Sequence, residues 1–125
     1  MKNIQKLTIA VLLAAGLVAV ACGKKADAPT AEAPAAVDGA EVYTTYACNT
    51  CHGDKGLGDG AAGASLNPKP RNFTDATWKN GTDLATVVST IKNGIEGSGM
   101  APYAGVIPDA EIEAVAKYVL KLGGK

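Results

Sequence analysis

The chain has 125 residues, 47% of them hydrophobic and only 5% aromatic, with 12 basic residues balanced by 12 acidic ones. That length suits one small domain, and the even charge argues against nucleic-acid binding, which needs a basic face for phosphates. A single histidine, three cysteines and two methionines leave few side chains able to hold a transition metal.

Residues 1–21 begin with Lys2 and Lys6, run through apolar residues from Leu7 to Val20 and end on small residues before Cys22. The pattern reads as an export signal, too short for a comfortable membrane span of about 20 apolar residues. Its removal leaves ten basic residues against twelve acidic ones, a net charge of −2. Ala19-Val20-Ala21-Cys22 resembles a bacterial lipoprotein box, with Ala19 where leucine is usual, and would make Cys22 the lipid-bearing first residue. The same letters contain an A-x-A cleavage site. Ordinary cleavage there would leave a reactive free thiol in an oxidising compartment, a feature that lipidation explains. The expected location is the periplasmic side of a membrane, held by an N-terminal lipid, with a soluble periplasmic protein as the alternative. After Cys22, the segment 22–37 is Ala, Pro, Lys, Asp, Glu and Thr with little to bury, and reads as a disordered tether. Pro29 and Pro34 argue against a stable helix within it.

Residues 38–125 form the remaining domain, without an internal repeat. A first helix is expected over about 38–48, carrying at its end Cys48-Asn49-Thr50-Cys51-His52. Two thiols three apart followed directly by an imidazole are the attachment signature of c-type haem. On one helical turn both sulfurs face the same side, where they can add to the haem vinyl groups, while His52 projects beneath the ring towards the iron. A thioredoxin-like CxxC pair would need a βαβ setting, of which no parallel-strand pattern exists, and a zinc site lacks ligands because His52 is the only histidine. Covalent haem also gives a small domain an apolar plate to pack on and a staple to hold it.

Residues 53–81 show no periodicity and are expected to form a long loop around a haem edge. Asp54-Lys55-Gly56-Leu57-Gly58-Asp59-Gly60 has glycines where a calcium loop needs Asp or Asn, and Ser65 where it needs Glu. No Gly-Lys-Ser/Thr follows to make a phosphate loop. A second helix is expected over 83–92, with Leu84, Val87, Val88 and Ile91 on one stripe, a cap at Thr82 or Asp83, and a stop at Asn93-Gly94.

Gly97-Ser98-Gly99-Met100-Ala101-Pro102-Tyr103 then forms a glycine-rich, proline-bounded loop that lets backbone approach a flat ring. With no second histidine, and with Met1 inside the export signal, Met100 is the candidate sixth iron ligand by elimination; a core methionine and lysine coordination are the alternatives. A third helix is expected over 109–122, with Ile112, Val115, Ala116, Val119 and Leu122 on its apolar stripe, glutamates near its start and Gly123-Gly124 after it.

In this order and spacing, residues 38–125 resemble the small monohaem bacterial class I cytochromes c with histidine and methionine ligands. The matching pieces are Gly39 and Tyr43 before the Cys48–His52 motif, Gly99-Met100-Ala101-Pro102-Tyr103, and Tyr118 in the last helix. The resemblance implies an all-α cytochrome c fold, about three main helices plus long loops wrapped around one covalent haem. It also implies that the first and last helices cross at Gly39, Tyr43 and Tyr118. Donors from the intermediate loop cover the haem propionates in that family, and Arg71 and Trp78 resemble those contacts. An exposed arginine and a core tryptophan account for the same letters.

The expected function is a one-electron carrier cycling between Fe(II) and Fe(III), not an enzyme, with redox proteins as donor and acceptor. One alternative is a haem sensor or small-molecule-binding protein in which Met100 dissociates. Another is a dedicated cytochrome subunit of a larger oxidoreductase, kept close by the tether. Lys55, Lys69, Lys79 and Lys92 are either a docking patch for a redox partner or simply solvated.

Overall fold

A computed structural model describes residues 36–125. The proposed export signal, Cys22 and most of the 22–37 tether lie outside the described residues.

Asp38 starts the first helix, α1 (Gly39–Thr45), by accepting the Ala40 amide on its carboxylate at 2.8 Å. The helix does not continue to Cys48 as expected. It ends at Tyr46, Ala47 takes a left-handed conformation with φ 55°, and a separate short helix, α2 (Cys48–His52), carries the motif. Ala47 joins the two: its amide donates back to the Thr44 carbonyl at 3.0 Å, and its own carbonyl accepts the amide and the hydroxyl of Thr50 at 3.1 and 2.6 Å, which opens the second helix. The bend lets α1 follow the core while α2 turns both cysteines and His52 into the cavity described below.

Asp83 caps α3 (Leu84–Asn93), accepting the Thr86 amide at 2.9 Å and the Thr86 hydroxyl at 2.6 Å. Gly94 follows the helix with φ 66°, as the Asn93-Gly94 stop anticipates. The last helix, α4 (Asp109–Leu122), has the expected bounds, with Asp109 and Glu111 in its first turn where the helix dipole favours acids. Among the described residues there is no strand, only an isolated bridge between Ala104 and Ile107, and no helix is long and apolar enough to cross a membrane.

The core forms where α4 is covered by α1 on one side and α3 on the other. Ile112, Val115, Ala116 and Val119 of α4 meet Val42 and Tyr43 of α1 and Val87 and Ile91 of α3, all buried. The α1–α4 crossing is close because residue 39 is glycine: a Cβ there would overlap the Ala114 carbonyl of α4. Beside it the Tyr43 and Tyr118 rings meet edge to face, 5.4 Å apart at 62°. This is the helix crossing that the family resemblance implies.

The 53–81 segment contains only a single 3₁₀ turn, Ala61–Gly63. It is tied to the motif by backbone hydrogen bonds, Gly58 N–H to His52 O at 2.8 Å and Gly60 N–H to Cys51 O at 3.1 Å, and closed on itself by Phe73 N–H to Gly56 O at 2.7 Å. Phe73, unassigned by any helical stripe, enters the core from this loop.

Candidate haem-binding site

A cavity of about 440 Å³ opens between α2, the 66–81 part of the long loop and the 98–103 loop. Cys48, Cys51 and His52 line one side of it, Met100 also lines it, and core residues such as Val87 and Ile91 form its floor. Its size lies in the range of roughly 300–1,000 Å³ usual for cofactor pockets.

His52 is held from behind. Its Nδ1 lies 3.2 Å from the carbonyl oxygen of Arg71, and since a carbonyl can only accept, Nδ1 carries the proton and Nε2 keeps a free lone pair. The ring stacks on Phe73 with centroids 4.7 Å apart and planes 22° from parallel. Burial lowers the His52 pKa below its ordinary value, opposed by the Arg71 hydrogen bond, so the neutral ligand form prevails. Burial likewise raises the Cys48 thiol, with Cys51 adding to the effect.

Met100 is positioned through the end of α3. The Ile95 amide donates to the Met100 carbonyl at 3.0 Å, and the Met100 amide donates to Ser98 Oγ at 3.1 Å. Two further amides, of Tyr103 and Ala104, take the free carbonyls of Ile91 and Lys92 at 3.2 and 3.0 Å. Gly94 therefore does two jobs. It stops α3, and it leaves room for the ligand loop, because a Cβ there would come within 2.6 Å of the Met100 carbonyl oxygen.

Arg71 and Trp78 both line the cavity, but their donors point elsewhere. The Arg71 guanidinium pairs with the Asp75 carboxylate at 3.1 Å, and the Trp78 indole N–H donates to the Phe73 carbonyl at 3.1 Å. Of the lysines read as a docking patch, Lys69 and Lys79 lie at the cavity and Lys92 is paired with Asp109 at 2.9 Å.

The donor set suits a c-type haem. Two thiols and a neutral imidazole on one short helix, a thioether on a hydrogen-bonded loop and a mostly apolar cavity fit such a group, which Cys48 and Cys51 would hold covalently and for whose iron His52 and Met100 are the available donors. Sequence reasoning missed three contributors: Phe73, the Arg71 carbonyl, and Lys125, whose ammonium reaches the carbonyl oxygens of Phe73 and Asp75. None belongs to a motif. Only the rarity of phenylalanine, one in the chain, could have singled out Phe73.

Comparison with known proteins agrees with this geometry. Residues 34–119 match the family described as cytochrome c oxidase, cbb3-type, subunit III. The cbb3-type oxidase subunit FixP of Azorhizobium caulinodans is 39% identical over 93 residues, covering 74% of this chain and 29% of that protein. Subunit CcoP of Azospirillum brasilense is 38% identical over 93 residues, covering 74% of this chain and 30% of that protein. The chain thus spans about 30% of the length of these relatives. A chain in the solved reducing HAO-like protein complex of Kuenenia stuttgartiensis superposes with a TM-score of 0.61 at 35% identity, covering 68% of this chain and 40% of that one. The all-α fold, the attachment motif and these matches together make the chain a member of the cbb3-type subunit III family of cytochromes c, with a covalently bound c-type haem.

Proposed function

We propose that this chain is a one-electron carrier on the periplasmic side of a membrane, in which Cys48 and Cys51 would anchor the haem and His52 and Met100 would be its iron ligands. The observation that carries the reading is that His52 and Met100 line one cavity, each held by hydrogen bonds to neighbouring loop residues: His52 through its ring to the Arg71 carbonyl, Met100 through its backbone to Ile95 and Ser98. When bound, the haem supplies an iron that accepts one electron from a reduced redox protein and gives it to an oxidised one.

The protein's own residues fix the conditions for that transfer. The Arg71 carbonyl holds the Nδ1 proton of His52, which orients the ring and leaves Nε2 to the metal. The α3 carbonyls of Ile91 and Lys92 hold the loop after Met100, so its thioether would be presented to the metal from a hydrogen-bonded backbone. Phe73 stacks on the His52 ring and Trp78 packs on Phe73, which backs the histidine with two aromatic side chains. Arg71 acts here through its backbone; a propionate contact would require its guanidinium to leave Asp75. No catalytic acid, base or substrate pocket is needed.

The names of the relatives favour a second reading, in which the chain serves a larger membrane oxidase as its cytochrome subunit. Lipid attached at Cys22, with residues 22–37 as a tether, would keep the domain near such a complex, and residues 1–21 would direct its export. A ligand-binding sensor would instead need the Met100 side chain to leave the iron.

Reduced and oxidised absorption spectra of the haem-loaded chain test the first proposal. A weak near-infrared sulfur-to-iron band in the oxidised protein, lost in Met100→Ala, is the expected result. Its absence from the wild type would reopen the sensor reading. Mass measurement of the mature N-terminus tests the lipid, and co-purification with a membrane oxidase tests the subunit reading.

A further inference from the structure

Lys125 belongs to no motif, yet its ammonium is the most heavily engaged cation among the described residues. It donates to three carbonyl oxygens, those of Phe73 at 3.2 Å, Asp75 at 3.0 Å and Gly123 at 3.1 Å, which uses all three of its N–H donors. It also sits 5.0 Å from the centroid of the Trp78 ring. The ion pairs of the described residues join Arg71 to Asp75, Lys92 to Asp109 and Lys117 to Glu113, so Lys125 is bonded to carbonyls and an indole face instead of a carboxylate.

What it holds leads directly to the site. From the ammonium, a continuous stack passes through Trp78 to Phe73, with ring centroids 5.5 Å apart, and from Phe73 to His52 at 4.7 Å. The Phe73 carbonyl accepts from both Lys125 and the Trp78 indole, which locks the two rings in one arrangement. The turn after α4 is pressed onto the same wall: a Cβ at Gly123 would come within 2.5 Å of the Phe73 carbonyl oxygen and 3.0 Å of the Trp78 ring.

We propose that Lys125 is a positioning residue of the redox centre: it clamps the Phe73–Trp78 wall against His52 and places a fixed positive charge on the histidine side, favouring the reduced state. The inference rests on the reading of His52 as an iron ligand. Oxidation adds one positive charge at the iron, and a fixed cation on the far side of the Trp78–Phe73 wall opposes that addition. Clamping the stack also restricts rotation of the imidazole that the Arg71 carbonyl orients. Side-chain contacts behind a ligand tune a metal by both routes.

The test compares haem-loaded wild type with Lys125→Gln and Lys125→Arg. Two measurements are made on each: the ratio of reduced to oxidised protein at a fixed ambient potential, and the His52 ring-proton resonances of the reduced state. In Lys125→Gln the ratio is expected to fall about threefold, equivalent to about 30 mV for one electron, and the His52 resonances to move. Lys125→Arg keeps the charge and is expected to restore both. A Lys125→Gln protein that loses thermal stability while ratio and resonances stay unchanged would make Lys125 a structural latch and overturn the proposal. Equal shifts in Gln and Arg variants would overturn the charge argument. A wild-type spectrum without the sulfur-to-iron band would overturn the ligand reading and this proposal together, whereas a normal wild-type spectrum with an unresponsive Lys125→Gln overturns this proposal alone.

Discussion

The Nδ1 of His52 and the carbonyl oxygen of Arg71 lie 3.2 Å apart although 19 residues separate them in the chain. That bond uses the backbone of Arg71, while its guanidinium is spent on Asp75 at the surface. Side chain and main chain of one residue therefore have separable roles.

Arg71→Ala leaves the carbonyl in place and removes only an exposed ion pair. We expect unchanged axial ligation and a stability loss below about 1 kcal/mol, since exposed pairs contribute about 0–1 kcal/mol. Denaturant titration beside absorption spectra checks this. A large shift in potential would indicate that the guanidinium reaches a propionate in the loaded protein.

Gly94→Ala places a Cβ at φ 66° and 2.6 Å from the Met100 carbonyl oxygen. Left-handed backbone costs a non-glycine residue about 1–2 kcal/mol, and the overlap adds to this by pushing the ligand loop outward. The expected outcome is a weakened sulfur-to-iron band together with lower stability, read from the near-infrared spectrum and a melting curve of the same sample.

Tyr43→Phe keeps the edge-to-face contact with Tyr118 but deletes the buried hydroxyl that donates to the Gly53 carbonyl at 2.8 Å. The Gly53 carbonyl keeps the Gly56 amide at 3.1 Å, so the loss should be that of one hydrogen bond, about 0.5–1.5 kcal/mol. Gly53 follows His52 directly, so the loss should come with a small change in the haem spectrum. Guanidinium unfolding measures the first effect, and an undiminished midpoint would refute it.

Asp83 caps α3, and hydrogen bonds from Thr86, first its hydroxyl and then its amide, hold the carboxyl pKa below the ordinary value. A depressed carboxylate contributes stability that is present above its unfolded pKa and is lost as pH falls through the lower folded one. The stability gap between wild type and Asp83→Ala should therefore be widest near neutrality and close in acid. Parallel urea titrations at neutral and acidic pH report it; a gap independent of pH would show that the carboxylate charge contributes nothing to the cap.

Much of this protein is determined by local letters. Cys48-Asn49-Thr50-Cys51-His52 specifies its cofactor because attachment chemistry needs only residues within one turn of chain. Leu84 to Ile91 and Ile112 to Leu122 specify their helices because burial on one face imposes a 3.6-residue period. Asp83 and Gly94 mark their helix ends because capping and left-handed turns are short-range effects. The tertiary structure decided what depends on residues far apart in the chain. Ala47 breaks the first helix so that α1 can meet α4 while α2 faces the cavity, two demands that no single straight helix satisfies. Phe73 packs behind His52, and Lys125 reaches back 52 residues to the Phe73 carbonyl. Such contacts have no sequence period, because the backbone groups that accept them are the same in every residue and become partners only when folding brings them within reach.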